Sequence, residues 1–212
     1  MTMSPDEFVR RVPRLYHMAA EDAWDSITRH GLLSTCALLD LFEISGEQRR
    51  AIESRHRPNT MVIEHPTHGR AVVRDQKPMS EGALTKCLQG LSPQQWYEIL
   101  NRKVFFWLSY DRLRGLLEAR AYRHDKHCVI IVDTAQLLER HLNQVTLSPI
   151  NSGSTIYKPQ PRSKETFQPI DKYPRRTAAE LAVDYHVPDL RELAVRADIR
   201  RAGRVLRILH ER

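Results

Sequence analysis

Cysteine is scarce. Cys36, Cys87 and Cys128 are the three in 212 residues. Three thiols leave one unpaired and none sits in a CxxC, which argues against a disulfide scaffold and a structural zinc site and makes a reducing cytoplasm the expected compartment. No apolar run approaches the ~20 residues needed to cross a bilayer. The longest, 104–108 and 129–132, are strand-sized, so no membrane partner is expected. The opening MTMSPDEFVRRVPRLYH lacks the apolar stretch of a secretory signal. There is no GxGxxG, Walker-type loop, HExxH or GxSxG. His65, His68, His124 and His127 lack tight ligand spacing with acids, so no metal site is expected. Internal repeats and low-complexity tracts are also missing.

What is present supports a real core. Hydrophobic residues make up 41% and charged residues 28%, mixed in sign along most of the chain. At ~150 residues per domain this length predicts one domain. Thirty-three Lys and Arg against 26 Asp and Glu give +7. That surplus favours anionic partners such as nucleic acid or a phosphorylated cofactor, and fits a merely basic surface equally well.

The first third reads as helical. Residues 20–30 carry Trp24 and Ile27 on one face and stop at Gly31, where a left-handed C-terminal residue is expected. Ser34 and Ser45 are candidate caps for two more helices, the second over 47–56 with Arg49, Arg50, Arg55 and Arg57 along it or just past it. A hairpin follows, 60–64 with 71–74, around Pro66-Thr67-His68-Gly69. Helices are expected at 81–89 and 93–102, the latter with Ser92 at the cap and Pro93 at the first helical position. VFFWLS and CVIIVD read as buried strands, each leading into a helix, 111–122 and 134–141. Residues 148–177 hold five prolines and no periodicity. A loop of that length inside a compact domain is usually functional or disordered. It carries Lys158, Arg162, Lys164, Lys172, Arg175 and Arg176 against Glu165 and Asp171. AAELAV after it is an extended run, and 200–212 is an Arg-rich amphipathic stretch. Helices early, strands late and one long loop before a late strand point to an α+β fold.

Three places have side chains suited to chemistry, and each has an ordinary structural reading too. Tyr16-His17 sits at the first strand, where an imidazole can exchange hydrogen bonds near neutral pH or simply brace a corner. Glu180 lies among Ala178, Ala179 and Ala182, small neighbours that leave room for a ligand or mark a half-exposed strand. VFFWLSYDR places Phe106 and Trp107 near Ser109, Tyr110 and Arg112, where aromatic rings serve a core as readily as a stacking platform.

Taken in order, these segments resemble the ADP-ribosyltransferase fold. LYHMAAEDAWDSITRHGLLS resembles its opening, an aromatic-His pair on a strand and then a helix ending in His-Gly-Leu-Leu. VFFWLS resembles the second motif, an aromatic strand beside nicotinamide. AAELAVDYHVPDLRELAV resembles the third, a Glu on a strand followed by a Val-Pro turn. The nearest group is the DNA-modifying ADP-ribosyltransferase toxins, the DarT group, with the likeness running over about residues 15–195. Met18 stands where that group usually has a small polar residue, and Phe106 or Trp107 stands where the family has Tyr.

The resemblance implies split antiparallel sheets behind a helical N-terminal part, in a single domain spanning 1–212. It leaves 32–102 as an inserted helical and hairpin lobe and 148–177 as a long basic loop. It implies NAD as substrate and transfer of ADP-ribose to a macromolecular acceptor, nucleic acid first and protein next, in a toxin or defence effector that has room for an antitoxin partner. Glu180 would stabilise the charge developing on the ribose. Arg112 would bind pyrophosphate or orient Glu180, Tyr16 and His17 would hold a ribose, and Phe106, Trp107, Ser109 or Tyr110 would contact nicotinamide. Lys158, Arg162, Lys164, Arg175 and Arg176 would meet the acceptor. Two alternatives stand beside this: a catalytically inactive nucleic-acid-binding or interaction domain, and an RNA 2′-phosphotransferase-like enzyme.

Overall fold

The computed structural model describes residues 2–212. The chain opens with α1 (Pro5–Arg11), β1 (Arg14–Ala20), α2 (Trp24–His30), β2 (Leu32–Leu33), α3 (Thr35–Leu41) and α4 (Gly46–Glu53). It continues through β3 (Met61–His65), β4 (Gly69–Val73), α5 (Glu81–Cys87), α6 (Pro93–Asn101), β5 (Lys103–Trp107), α7 (Tyr110–Glu118), β6 (His127–Asp133) and α8 (Thr134–His141). Last come β7 (Val145–Ser148), β8 (Gln168–Pro169), β9 (Glu180–Asp184), β10 (His186–Val187), α9 (Leu190–Leu193), β11 (Ala194–Arg201) and β12 (Arg204–Glu211). The class is α+β with antiparallel sheets. Among the described residues, eight strands form one sheet in the order β12-β11-β6-β1-β5-β9-β7-β8, and β10-β2 and β3-β4 form two small ones.

Local chemistry sets many of the boundaries. Ser92 accepts from the Gln95 amide while Gln95 reaches back to the Ser92 amide, a capping box with Pro93 behind it. Ser34, Ser109 and Asp133 cap α3, α7 and α8 through a single side-chain bond, each satisfying one orphan amide. Ser45 precedes α4 without a side-chain cap bond.

The central sheet is covered on both faces. On one, Leu15 and Ala19 of β1, Phe106 of β5, Ile130 of β6 and Leu181 of β9 pack with Phe8, Ile27, Leu137 and Leu190 from the helices. On the other, Met18 and Val129 meet Leu113 and Leu117 of α7. Burying each large aliphatic side chain there stabilises the fold by roughly 1.5–3 kcal/mol. The segment between β2 and β5 has two small cores of its own, one around Leu39, Ile52 and Ile63, the other around Trp96, Tyr97 and Leu84.

The structure revises several expectations. β1 runs on to Ala20, so the helix expected from 20 begins only at Trp24. The adjacent Ala19 and Ala20 pair with Cys128 and His127 of β6, and this ladder outweighs the helical pattern. Gly31 is not a left-handed helical stop. With φ 80 and ψ 179 it occupies an extended region that only glycine enters readily. The 148–177 segment is packed rather than loose: Tyr173 and Arg162 are fully buried, and Ser163 with Thr166 closes a capping box on a short 3-10 turn. The eight strands form one continuous sheet with a seam inside it. β1 and β5 share one register pair, Tyr16↔Trp107, whereas β1 pairs with β6 along its whole length.

Candidate active site

The seam has consequences for the backbone. Beyond the Tyr16–Trp107 pair the two strands part, and carbonyls that a continuous ladder would satisfy need other donors. Two side chains supply them. His17 Nδ1 lies 2.8 Å from the Phe105 carbonyl, and Arg74 Nη1 donates to the Met18 carbonyl at 2.8 Å. A cavity of about 330 Å³ opens where the strands separate, a size in the range of cofactor pockets, roughly 300–1,000 Å³. Its walls come from the end of β1, the start of α2, β4 with Arg74, β5, the turn Asn151–Ser152–Gly153, and Glu180.

A carbonyl only accepts, so His17 Nδ1 carries the hydrogen and Nε2 keeps its lone pair. Burial holds this imidazole down to about 4, against the pull of the Phe105 bond and with help from the Arg74 charge. His17 is therefore neutral at pH 7 and offers an acceptor to a hydroxyl. Glu180 is 4% exposed. Burial pushes its carboxyl up to about 7, opposed by Ser152 and then by the charges of Arg162 and Arg112. The Ser152 amide donates to Glu180 Oε1 at 3.1 Å. Ser152 Oγ beside it is buried. Trp107 and Ser148 are the register neighbours of Glu180 on its two sides, so Trp107 shares its face.

Of the residues expected at the site, the structure brings His17, Phe106, Trp107 and Glu180 to this one cavity. They are not arranged as a facing pair. Strand parity puts Tyr16, Trp107 and Glu180 on one face of the sheet and His17 with Phe106 on the other, and the cavity reaches both through the seam. Phe106 is core, its ring 5.7 Å from that of His17, so Trp107 is the aromatic neighbour of Glu180.

The rest lie elsewhere. Tyr16 packs with Tyr110 against α7, 6.0 Å between rings. Ser109 caps α7, and the Tyr110 hydroxyl takes a bond from Arg200 at 2.8 Å and donates to the Gly203 carbonyl. Arg112 is exposed on the first turn of α7 and lines no part of the cavity, although its charge is felt at Glu180. Arg175 pairs with Glu7 at 2.7 Å, and Arg176 covers the Tyr173 ring. Lys158 and Lys164 are exposed. Arg162, expected on the surface to meet an acceptor, is the clearest correction. It is 1% exposed and bonded to backbone carbonyls, because its segment folds in against Trp96.

Other cavity residues went unread in the sequence. The lobe supplies Arg57, Arg70 and Arg74. Arg57 is buried and serves the backbone, bonding Arg74 O at 2.9 Å and Asn101 Oδ1 at 3.2 Å, with a further bond to Ile52 O. Arg70 pairs with Asp22 at the rim. Arg74 lies over the Tyr122 ring at 5.4 Å, while Tyr122 donates to Asp75 at 2.6 Å. Arg74 sits just past β4, whose sequence Gly-Arg-Ala-Val-Val carries no alternation that would place it. Asn151-Ser152-Gly153-Ser154 is turn-forming in composition, but nothing local showed that the turn would meet Glu180. Among the described residues, no three of His, Cys, Asp and Glu are grouped to hold a metal.

The two perturbed groups pull stability in opposite directions with pH. Folded Glu180 binds its proton up to about 7 rather than 4.5, so its contribution falls as pH rises through that window. Folded His17 loses its proton near 4 rather than 6.5, so its contribution grows as pH rises through that window. Between 4.5 and 6.5 the two oppose each other. Glu180→Gln is expected to leave a stability that climbs with pH more steeply than the wild type's, by up to about 1.4 kcal/mol per pH unit. His17→Asn should shift the slope the other way. Urea unfolding across this range checks both, and a Glu180→Gln slope equal to wild type would refute the assignment.

A family model described as a family of unknown function (DUF7002) matches residues 13–206, from just ahead of β1 into β12. No curated protein matches the chain.

Proposed function

The chain belongs to the DUF7002 family, and for it we propose the activity of an NAD-dependent mono-ADP-ribosyltransferase acting on a macromolecular acceptor. One observation carries the reading: a buried Glu180, held by the Ser152 amide beside Trp107, lines the same seam cavity as the neutral His17. NAD is the substrate in this reading, and the donor set suits its parts. His17 Nε2 accepts from a ribose hydroxyl. Trp107 offers a flat face to nicotinamide. Arg74 puts a guanidinium in the wall for the pyrophosphate. Ser152 Oγ, buried beside the carboxylate, is a further donor at the site. The split antiparallel arrangement of an ADP-ribosyltransferase is the finer fold assignment that accompanies this proposal, and the single-pair seam supports it.

The chemistry asks little more of the chain. Glu180, ionised, holds a ribose hydroxyl and stabilises positive charge developing at the anomeric carbon as its bond to nicotinamide breaks. Neutral nicotinamide departs with the bonding pair. The acceptor forms the new bond to that carbon and gives up its proton to solvent or to a carboxylate. Nucleic acid is the favoured acceptor, protein the next. The +7 charge and the exposed Lys158 and Lys164 on the segment that carries the Asn151 turn support the order. A toxin or defence role, with an antitoxin as partner, belongs to the same proposal.

The test is incubation with NAD and with mixed nucleic acid and protein, read by mass spectrometry, alongside thermal unfolding with NAD. ADP-ribosyl adducts and a rise in Tm are the expected outcome. Neither adduct nor shift at millimolar NAD would overturn the reading in favour of a binding domain without catalysis.

A further inference from the structure

Arg162 is unusual among the arginines of this chain. It is 1% exposed, its Nε has no partner, and no carboxylate lies within ion-pair distance of it among the described residues. Taking a guanidinium out of water without an anion is costly unless its donors are spent on fixed acceptors. Here they are. Nη2 bonds the carbonyls of both Asn151, at 3.3 Å, and Ser154. Nη1 bonds the Gln160 carbonyl at 2.6 Å and Cys87 Sγ at 3.3 Å. Its own backbone is tied to α5 and the residues after it, through the Cys87 carbonyl at 2.9 Å and the Gln89 amide at 2.8 Å. Asn151 and Ser154 bracket Ser152, whose amide holds the Glu180 carboxylate.

We propose that Arg162 is a positioning residue: it clamps the Asn151–Ser154 turn from within, so that the Ser152 amide stays aimed at Glu180, and it fastens that turn to the lobe. This rests on the reading of Glu180 as the reacting carboxylate. The planar fork is what the task requires. One nitrogen spans two carbonyls of one turn while the other reaches a third and a thiol, which a lysine ammonium on a flexible stem does not reproduce. The Arg162 charge also opposes the upward push of burial on Glu180. The lobe, remote in sequence, thereby acquires a direct mechanical link to the catalytic acid.

Arg162→Lys and Arg162→Met are the variants, with three measurements on each. Hydrogen exchange of the Ser152 amide is expected to speed up about tenfold or more, the value of one hydrogen bond to a charged group. The Glu180 titration, followed by carboxyl carbon NMR, should move upward in both, further in Arg162→Met, where the charge is gone too. In NAD turnover, kcat at neutral pH should fall about tenfold or more with KM for NAD nearly unchanged, and its pH profile should shift with the Glu180 titration. A folded Arg162→Lys with wild-type exchange at Ser152 and wild-type Glu180 titration would overturn the clamp. Should neither variant fold, the wild type decides: the clamp requires the Ser152 amide to exchange at least about a hundredfold more slowly than that of the 89% exposed Tyr157, and equal rates overturn it. Absence of NAD turnover in every protein counts against the proposed function alone, because exchange and titration still report on the clamp.

Discussion

Glu180→Gln is expected to lower ADP-ribose transfer by about a hundredfold or more while making the protein more stable above neutral pH. Both effects follow from one fact, a carboxylate kept out of water. Glutamine keeps the shape and keeps an oxygen for the Ser152 amide to donate to. What it removes is the negative charge. Electrostatic groups aimed at developing charge in a water-poor site typically contribute about 10²–10³ in rate, and Glu180 is 4% exposed. The stability gain comes from the same burial. A carboxyl raised from 4.5 to about 7 costs the folded state when it ionises, a penalty on the order of 3 kcal/mol that the neutral amide does not carry. Turnover of radiolabelled NAD together with urea unfolding near pH 8 measures the pair. Unchanged turnover would refute the catalytic role. Loss of turnover with loss of folding would refute the claim that the charge alone is responsible.

The second large effect is structural. Gly31→Ala is expected to cost on the order of 3 kcal/mol or to prevent folding. Gly31 ends α2 and leads into β2, and it lines the cavity. Its φ of 80 with ψ of 179 belongs to a region L side chains avoid, worth roughly 1–3 kcal/mol by itself. A Cβ would also meet Pro188 Cα at 2.6 Å and the carbonyl oxygens of Val187 and Pro188 at 2.8 Å, all backbone atoms. None of these three contacts can be relieved by rotating a side chain. The β10–β2 pairing, Val187↔Leu32, would have to open. For a chain of this size each kcal/mol moves Tm by roughly 2–4 °C, so a drop on the order of 10 °C is the expected reading. A Tm within experimental error of wild type would show that the α2–β10 approach is softer than the geometry implies.

What the residues declared in advance, and what they hid, follows the range of the forces involved. Ser92 and Pro93 announced the start of α6 because a cap and a first-turn proline act within a few residues, and the structure adds Gln95 to complete a capping box. The β3–β4 hairpin and the β5 and β6 strands were legible from short apolar runs between turn residues. Glu180 was visible as an acid amid alanines, but its burial was not, since that depends on Trp107 and Ser148 arriving from other strands. Arg162 was misplaced for the same reason. A basic residue in a proline-rich stretch looks solvated until Trp96 and the Asn151 turn are known to surround it. Arg74 and the rest of the lobe had no assigned part in the cavity, because no local pattern tells which side of a hairpin will face a seam between two distant strands. The Arg112 expectation depended on a helix register, and α7 turns that side chain outward.

The strand order carries a last implication, for synthesis. β1 forms its long ladder with β6, register Arg14↔Asp133 to Ala20↔His127. During synthesis β1 meets only the single β5 pair, Tyr16↔Trp107, before its long-ladder partner β6 follows more than a hundred residues after it. The lobe, with its own small cores, is free to condense in the meantime. Closure of the large sheet is then a late, long-range event of the kind that slows folding and leaves apolar edges exposed to other chains. Ribosome pausing or chaperone supply should therefore matter more to the yield of this protein than its final stability would suggest.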